Sequence, residues 1–301
     1  MMNVVECSGL TKTYGNINAL NKMSFAIEEN KITGLIGPNG AGKTTLLKIM
    51  AGFMQQSSGE IRVFDRSPFN DLTVSANMIF VDDNMALPQT LSLADILEGV
   101  APFYANWDAG LAQRLFAYFN LQPGQCHHKL SKGMKSTFNM IIGIAARCPL
   151  TIFDEPTTGM DAGVRKDFYR ALLKDYLAHP RTIILSSHLL NEIQDVLEDV
   201  LLMRAGEKRL HLPVSDLKEY AVGLRGRREV LEQFSGNREV LYREALGRDS
   251  EYLVVQNTLS ETERQQAKRS GVEILPVDTA DLCVYLTATN KGGIDDVFSG
   301  A

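Results

Sequence analysis

The chain has 301 residues, of which 45% are hydrophobic and 22% charged, proportions of a globular protein with material for one large or two smaller cores. Its formal net charge of −5 argues against a general nucleic-acid binder. There is no run of eighteen apolar residues, Asn3, Glu6 and Lys12 break any leader-like N-terminus, and Cys7, Cys126, Cys148 and Cys283 are scattered. These features predict a chain without a membrane span, in the reducing setting of the cytoplasm.

In chain order, residues 4–7 and 24–27 are short strand candidates on either side of the turn-prone Tyr14, Gly15 and Asn16. Residues 32–36 read as a buried strand. It runs into Gly37, Pro38, Asn39, Gly40, Ala41, Gly42, Lys43 and Thr44, the Gly, four residues, Gly-Lys-Thr pattern of a phosphate-cradling P-loop. A helix is expected over 45–51, ending at Gly52. Glycines there let backbone N–H groups turn inward, and the helix that follows points its positive end at the same spot. Lys43 would reach the β- and γ-phosphates, and the Thr44 hydroxyl would be a ligand for Mg²⁺. Tyr14, 23 residues before Gly37, could stack on a purine or simply pack.

Further strands are expected at 59–64 and 79–81, the latter ending abruptly at Asp82, Asp83 and Asn84. Helical spacing follows from Leu91 to about Leu121, punctuated by Pro102, Trp107 and Asp108, with Asp108 suited to capping the second helix. Residues 122–133 form a polar loop. Cys126, His127 and His128 lie in it without the further Cys/His pair that a closed zinc site needs. An apolar helix is predicted over 134–147.

A second informative stretch is the apolar run 150–153, which ends in Asp154 and Glu155, 111 residues after Lys43. A P-loop ATPase needs two acids there, one to help hold Mg²⁺ and one to orient and polarise the attacking water. Residues 182–185 give one more buried strand, leading to Ser186, Ser187 and His188. A histidine at a strand's carboxyl end can bond a phosphate, or it can be structural. From about Val214 the character changes. Arg225, Arg227 and Arg228 read as a solvated basic face, followed by strand-like runs at 239–242, 252–255 and 272–275 and a polar helix over 261–269. The expected architecture is an α/β P-loop NTPase core with an antiparallel β lead-in and a helical subdomain at about 85–148, together spanning 1–214. A small α/β accessory domain spans 215–301.

Taken together, these motifs resemble the nucleotide-binding ATPase subunit of ATP-binding cassette (ABC) transporters, over roughly residues 3–212. In that resemblance Tyr14 is the adenine-stacking aromatic and residues 37–44 are the Walker A motif, with Asn39, Gly40, Ala41, Gly42, Lys43, Thr44 and Thr45 holding ATP. Leu130, Ser131, Lys132, Gly133 and Met134 stand where the Leu-Ser-Gly-Gly-Gln signature lies. Asp154 and Glu155 are the Walker B acid and catalytic glutamate, Gly159, Met160 and Asp161 the D-loop, and His188 the switch histidine. The resemblance implies an ATPase in which Lys43, Glu155 and His188 are catalytic. It implies head-to-tail pairing with a second cassette, identical or not, so that Ser131 and Gly133 serve the partner's γ-phosphate. It also implies permease subunits that hold the chain at the inner face of the cell membrane.

Three residues depart from the family pattern, at two places in the chain. Lys132 and Met134 replace Gly and Gln in the signature, a form similar to the ABC-2 export branch. Asp83 takes the place of a Gln that meets Mg²⁺ and the attacking water, because Leu91, Ser92, Leu93 and Asp95 align with the downstream pattern only in that register. A carboxylate oxygen can serve as a hard Mg²⁺ ligand, so Thr44, Asp154 and Asp83 are the expected metal ligands. The leading function is therefore an ATPase powering an exporter. The alternative is a cassette acting in regulation or remodelling without a transport partner, and a module that binds ATP with little turnover is a third reading. The transported substrate is chosen by subunits outside this chain.

Overall fold

A computed structural model of the chain describes residues 2–236 and 238–288. It divides into two compact units that meet in sequence at Val214 and Ser215. The C-terminal stretch 289–301 of the expected accessory domain lies outside the described residues.

The first unit opens with two long strands, β1 (Asn3–Tyr14) and β2 (Ile17–Glu28), antiparallel and joined through Gly15 and Asn16. Both are longer than the four-residue runs that their apolar residues suggest, because irregularities in the pairing break the alternation. The strand β3 (Ile32–Ile36) is buried throughout and leads into helix α1 (Lys43–Met50). That helix starts two residues before the expected point, so Lys43 and Thr44 lie in its first turn. Next come β4 (Ser58–Val63), the short helix α2 (Leu72–Ala76) and β5 (Met78–Val81).

The helical stretch resolves into α3 (Leu93–Val100) and α4 (Ala109–Tyr118). Ser92 and Asp95 close a capping box on α3, and the Asp108 carboxylate accepts the Leu111 N–H on α4. Helix α5 (Lys132–Ala145) begins two residues earlier than its apolar content predicts. Ser131 caps it, which brings the polar Lys132 and Gly133 into the first turn. Then follow β6 (Leu150–Asp154), α6 (Ala162–Ala178), β7 (Thr182–Ser187), β8 (Asp199–Arg204) and β9 (Glu207–Pro213).

The strands make two sheets, β2-β1-β4 and β5-β6-β7-β3-β8-β9. The second is parallel from β5 to β8, and β9 runs antiparallel at its edge. Its inner strands carry apolar side chains on both faces, as a sheet covered on both sides requires. One face meets α1, whose Leu46, Leu47, Ile49 and Met50 join Leu10, Leu20, Met23 and Ile61 of the small sheet in one core. Each such fully buried side chain contributes about 1.5–3 kcal/mol relative to exposure. Phe153 of β6 meets Phe168 of α6 edge to face, with centroids 5.6 Å apart. Strand order decides where the chemistry falls: β6, β7 and β3 are neighbours, so their carboxyl ends, far apart in sequence, lie side by side.

The short helix α7 (Val214–Glu219) carries the chain into the second unit. There β10 (Ala221–Arg227), α8 (Arg228–Ser235), β11 (Val240–Ala245), β12 (Ser250–Gln256), α9 (Glu261–Arg269) and β13 (Glu273–Pro276) follow in a βαββαβ sequence. The sheet is antiparallel, in the order β11-β12-β10-β13, which is ferredoxin-like topology. Helix α10 (Thr279–Thr287) comes after it. Arg225, Arg227 and Arg228 are all exposed, as a solvated face requires. Arg225 pairs with the exposed Glu273, whereas Arg228 joins Arg243 in compensating the buried Glu251, at 3.6 and 3.5 Å.

Candidate functional site

The site is built on the carboxyl ends of β3, β7 and β6, where a parallel sheet presents loops and helix starts to a ligand. Gly37 follows β3, and its N–H reaches the Ser187 carbonyl at the end of β7 (3.4 Å). The turn from Pro38 to Gly42 is closed by the Ala41 N–H on the Pro38 carbonyl, and the Gly206 N–H holds the Ala41 carbonyl from the β8–β9 connection. Gly42 caps α1 at φ +99°. A Cβ there would sit 2.4 Å from the Ala19 carbonyl oxygen, so both the backbone angle and the space demand glycine. Asn39, Gly40 and Thr44 are exposed and Thr45 is half-buried, leaving the mouth of the loop open.

Lys43 is buried, and its ammonium donates to the Gly37 carbonyl (2.7 Å) and approaches that of Pro38 (3.4 Å). It also lies 3.2 Å from Glu155 Oε1, an ion pair without the alignment of a hydrogen bond. The other carboxylate oxygen of Glu155 is 2.9 Å from His188 Nδ1. Three residues spread over 146 positions of sequence (43 to 188) thus converge on one point. The Glu155 backbone is left-handed at φ +48°, a conformation that costs a non-glycine residue about 1–2 kcal/mol. Ser186 holds it there. Its hydroxyl donates to Asp154 Oδ1 (2.6 Å) and accepts the Glu155 N–H (2.9 Å). Ser186 was no candidate from sequence. Its signal was the run of polar residues ending an apolar strand, of which only the histidine stood out.

The other predicted residues fall elsewhere. Tyr14 closes β1 with its ring half-exposed, its hydroxyl on Met54 Sδ (2.7 Å) and the Lys12 ammonium 5.3 Å from the ring centroid. Ser131 and Gly133 lie at the start of α5. A Cβ on Gly133 would stand 2.3 Å from the Gly159 carbonyl oxygen, so the signature and the loop after Glu155 pack backbone against backbone. Among the described residues no hydrogen bond or ion pair joins Ser131 or Gly133 to the P-loop. Asp83 is likewise outside the cluster. Its carboxylate takes the Asn84 side-chain amide (2.8 Å) and faces the Lys132 ammonium at 3.4 Å. Its neighbour Asp82 is half-buried. That burial, with the nearby Asp83 and Asp154 charges, lifts the Asp82 carboxyl above the ordinary aspartate range.

The donor set suits a small hard cation beside a phosphate. Thr44 supplies an exposed hydroxyl and Asp154 a carboxylate fixed by Ser186, both oxygen ligands of the kind Mg²⁺ takes. No group of three or more His, Cys, Asp or Glu residues able to enclose a metal occurs among the described residues. A cation here would complete its shell with substrate phosphates and water.

A P-loop on a parallel sheet, with a carboxylate pair and a histidine closing on its lysine, defines a nucleotide-hydrolysing cassette. Residues 20–158 match the ABC transporter family model, and this stretch is an ABC-type ATP-binding domain. It is 25% identical to the ABC transporter ATP-binding protein YtrB of Bacillus subtilis (strain 168), over 72% of this chain and 74% of that protein. It is 27% identical to the SkfA peptide export ATP-binding protein SkfE of the same organism, over 73% of this chain and 93% of that protein. Among solved structures, the ATP-binding cassette MJ0796, described as a dimeric post-hydrolysis state bound to ADP and Pi, shares the fold. Its TM-score is 0.61 at 21% identity, covering 70% of this chain and 98% of that one.

Proposed function

We propose that this chain is the ATP-binding and ATP-hydrolysing subunit that powers an export-type ABC transporter. The observation that carries this reading is the convergence of Lys43, Glu155 and His188 at the carboxyl ends of three adjacent strands. The Glu155 carboxylate lies against Lys43. A triphosphate seated on the P-loop amides takes over that lysine, and Glu155, steadied by His188, turns to the water that attacks the γ-phosphorus. Thr44 and Asp154 are the residues that would hold Mg²⁺, which supplies charge neutralisation on the phosphates. The contacts of Asp83 with Lys132 and Asn84 support a different role for that residue.

Among the described residues Ser131 and Gly133 make no hydrogen bond to the P-loop of their own chain, which supports their service to the nucleotide of a second cassette, identical or not. The signature form Lys132-Gly133-Met134 and the similarity to a peptide-export ATPase support the exporter direction. No helix among the described residues is long and apolar enough to cross a membrane. Attachment to permease subunits at the inner face of the cell membrane is therefore part of the proposal.

The test is Glu155→Gln. Turnover should fall by roughly 10²-fold or more, the scale of one positioned catalytic group, with ATP binding retained. A variant hydrolysing within a few-fold of the wild type would remove Glu155 from its role. Copurification with a neighbouring permease in detergent checks the transport assignment.

A further inference from the structure

Two of the three residues at which this chain leaves its family's pattern, Lys132 and Asp83, touch each other. Lys132 stands at the first turn of α5 and Asp83 just past β5, and their charged groups are 3.4 Å apart. Neither is an ordinary surface charge. The first turn of α5 contains no acidic residue, so the Lys132 ammonium lies at the positive end of the helix dipole with nothing on its own helix to offset it. Asp83 offsets it from another element. The Lys132 stem meanwhile lies along Gly159, where an added Cβ would come 3.1 Å from Lys132 Cγ. One side chain thus joins the signature turn, the loop after Glu155 and the end of β5. A second tie runs parallel and is uncharged: Asn139, two turns further along α5, donates to the Asp82 carbonyl (3.0 Å) and is itself held by His127 Nε2 (2.9 Å).

We infer that Lys132 is a positioning residue: its ion pair with Asp83 is a strut that fixes the partner-facing turn of α5 to the end of β5, beside the chain's own Walker B acid. An amide and a glycine at these positions could not make that pair, so each departure is compensated by the other. The strut gives the chain a link between its own nucleotide site and the residues it offers to a partner's. A partly exposed pair at this separation is worth at most about 1 kcal/mol, a factor of roughly five. That suits an element that tunes alignment while the buried Asn139 contact holds the layers together.

The inference rests on the paired-cassette reading, and the experiment separates the two. In the Glu155→Gln background with saturating MgATP, the protein concentration giving half-maximal dimer is measured by size-exclusion light scattering. Lys132→Met keeps the stem on Gly159 and Asp83→Asn keeps the shape. Each should raise that concentration about three- to tenfold, since a dimer contains two struts. Lys132→Glu, which sets two carboxylates together, should be worse. Adding Asp83→Lys to it should restore the starting value within about twofold. A purely steric role, a metal-binding Asp83 or a phosphate-binding Lys132 would give no such rescue. Lack of rescue, or an unchanged Lys132→Met, overturns the strut. If the Glu155→Gln protein forms no dimer, the paired-cassette reading fails, and the strut is judged on the nucleotide-free chain. There Lys132→Met and Asp83→Asn must be non-additive in the urea midpoint, and additivity overturns it.

Discussion

Glu155 occupies a left-handed backbone position that a glycine would accept more cheaply, and it is kept there by one hydroxyl. Ser186 acts on both acids at once, aligning the Asp154 carboxylate and pinning the Glu155 N–H. Ser186→Ala should therefore lower kcat about 10- to 100-fold, the range for supporting residues around a site. The Kd for ATP should change by less than about threefold, because Lys43 and the P-loop amides are untouched. Stopped-flow binding and steady-state turnover separate the two, and an equal loss in both would mean that Ser186 only supports the fold. The two acids stand out in residue order because they end an apolar run with charges that a buried strand cannot continue, whereas His188 follows two serines and took a role only through the family resemblance. Ser186 does not stand out, because its role depends on β6 and β7 being neighbours.

At the scale of single elements, α5 makes the most connections. Its start meets the loop after Glu155, and its middle is tied by Asn139 to β5 and by Asn139 to His127. Burial holds the His127 imidazole below its ordinary range, although the bond to Asn139 partly offsets this. The unfolded chain takes up a proton near pH 6.5 that the folded chain refuses. The stability His127 provides is therefore present above that pH and is lost as pH falls below it. His211, also depressed chiefly by burial, adds a second loss in the same window. His127→Gln keeps a partner for Asn139 and should flatten the decline in the urea midpoint below about pH 6.5, leaving the part due to His211. An unchanged slope would remove His127 from the account. Sequence reading placed α5 two residues late because it followed apolar periodicity, whereas Ser131 and the turn after it are polar. It also missed α8 and α10. The first is preceded by arginines that suggested a solvated face, and the second is a short helix whose start is set by the Asp278 cap rather than by periodicity.

Across the whole molecule, the P-loop, Tyr14, the acids, His188 and the α5 turn all lie before Val214, in the first unit. The second unit has its own core of Val222, Leu224, Leu231, Phe234, Leu253 and Val255. A chain ending at Val214 should stay soluble and bind ATP with a Kd within about threefold of the full chain. Isothermal titration checks this, and an insoluble or non-binding fragment would mean that the two units depend on each other. The parallel core was legible because β3, β6 and β7 are apolar on both faces. The order of its strands was not, nor was the ferredoxin-like arrangement, since pairing partners leave no mark on a single strand's composition.

The strand that delivers the P-loop is bonded along both edges, to β7 and to β8. Its amides have no frayed side from which to reach solvent. In deuterated buffer they should be the last of the first unit to acquire mass, exchanging only when that unit opens as a whole. Partial openings of the outer helices would leave the phosphate cradle in place. Losing nucleotide would then be a matter of dissociation rather than of unfolding, so a slow deuterium signal from residues 32–36 should persist through many rounds of turnover.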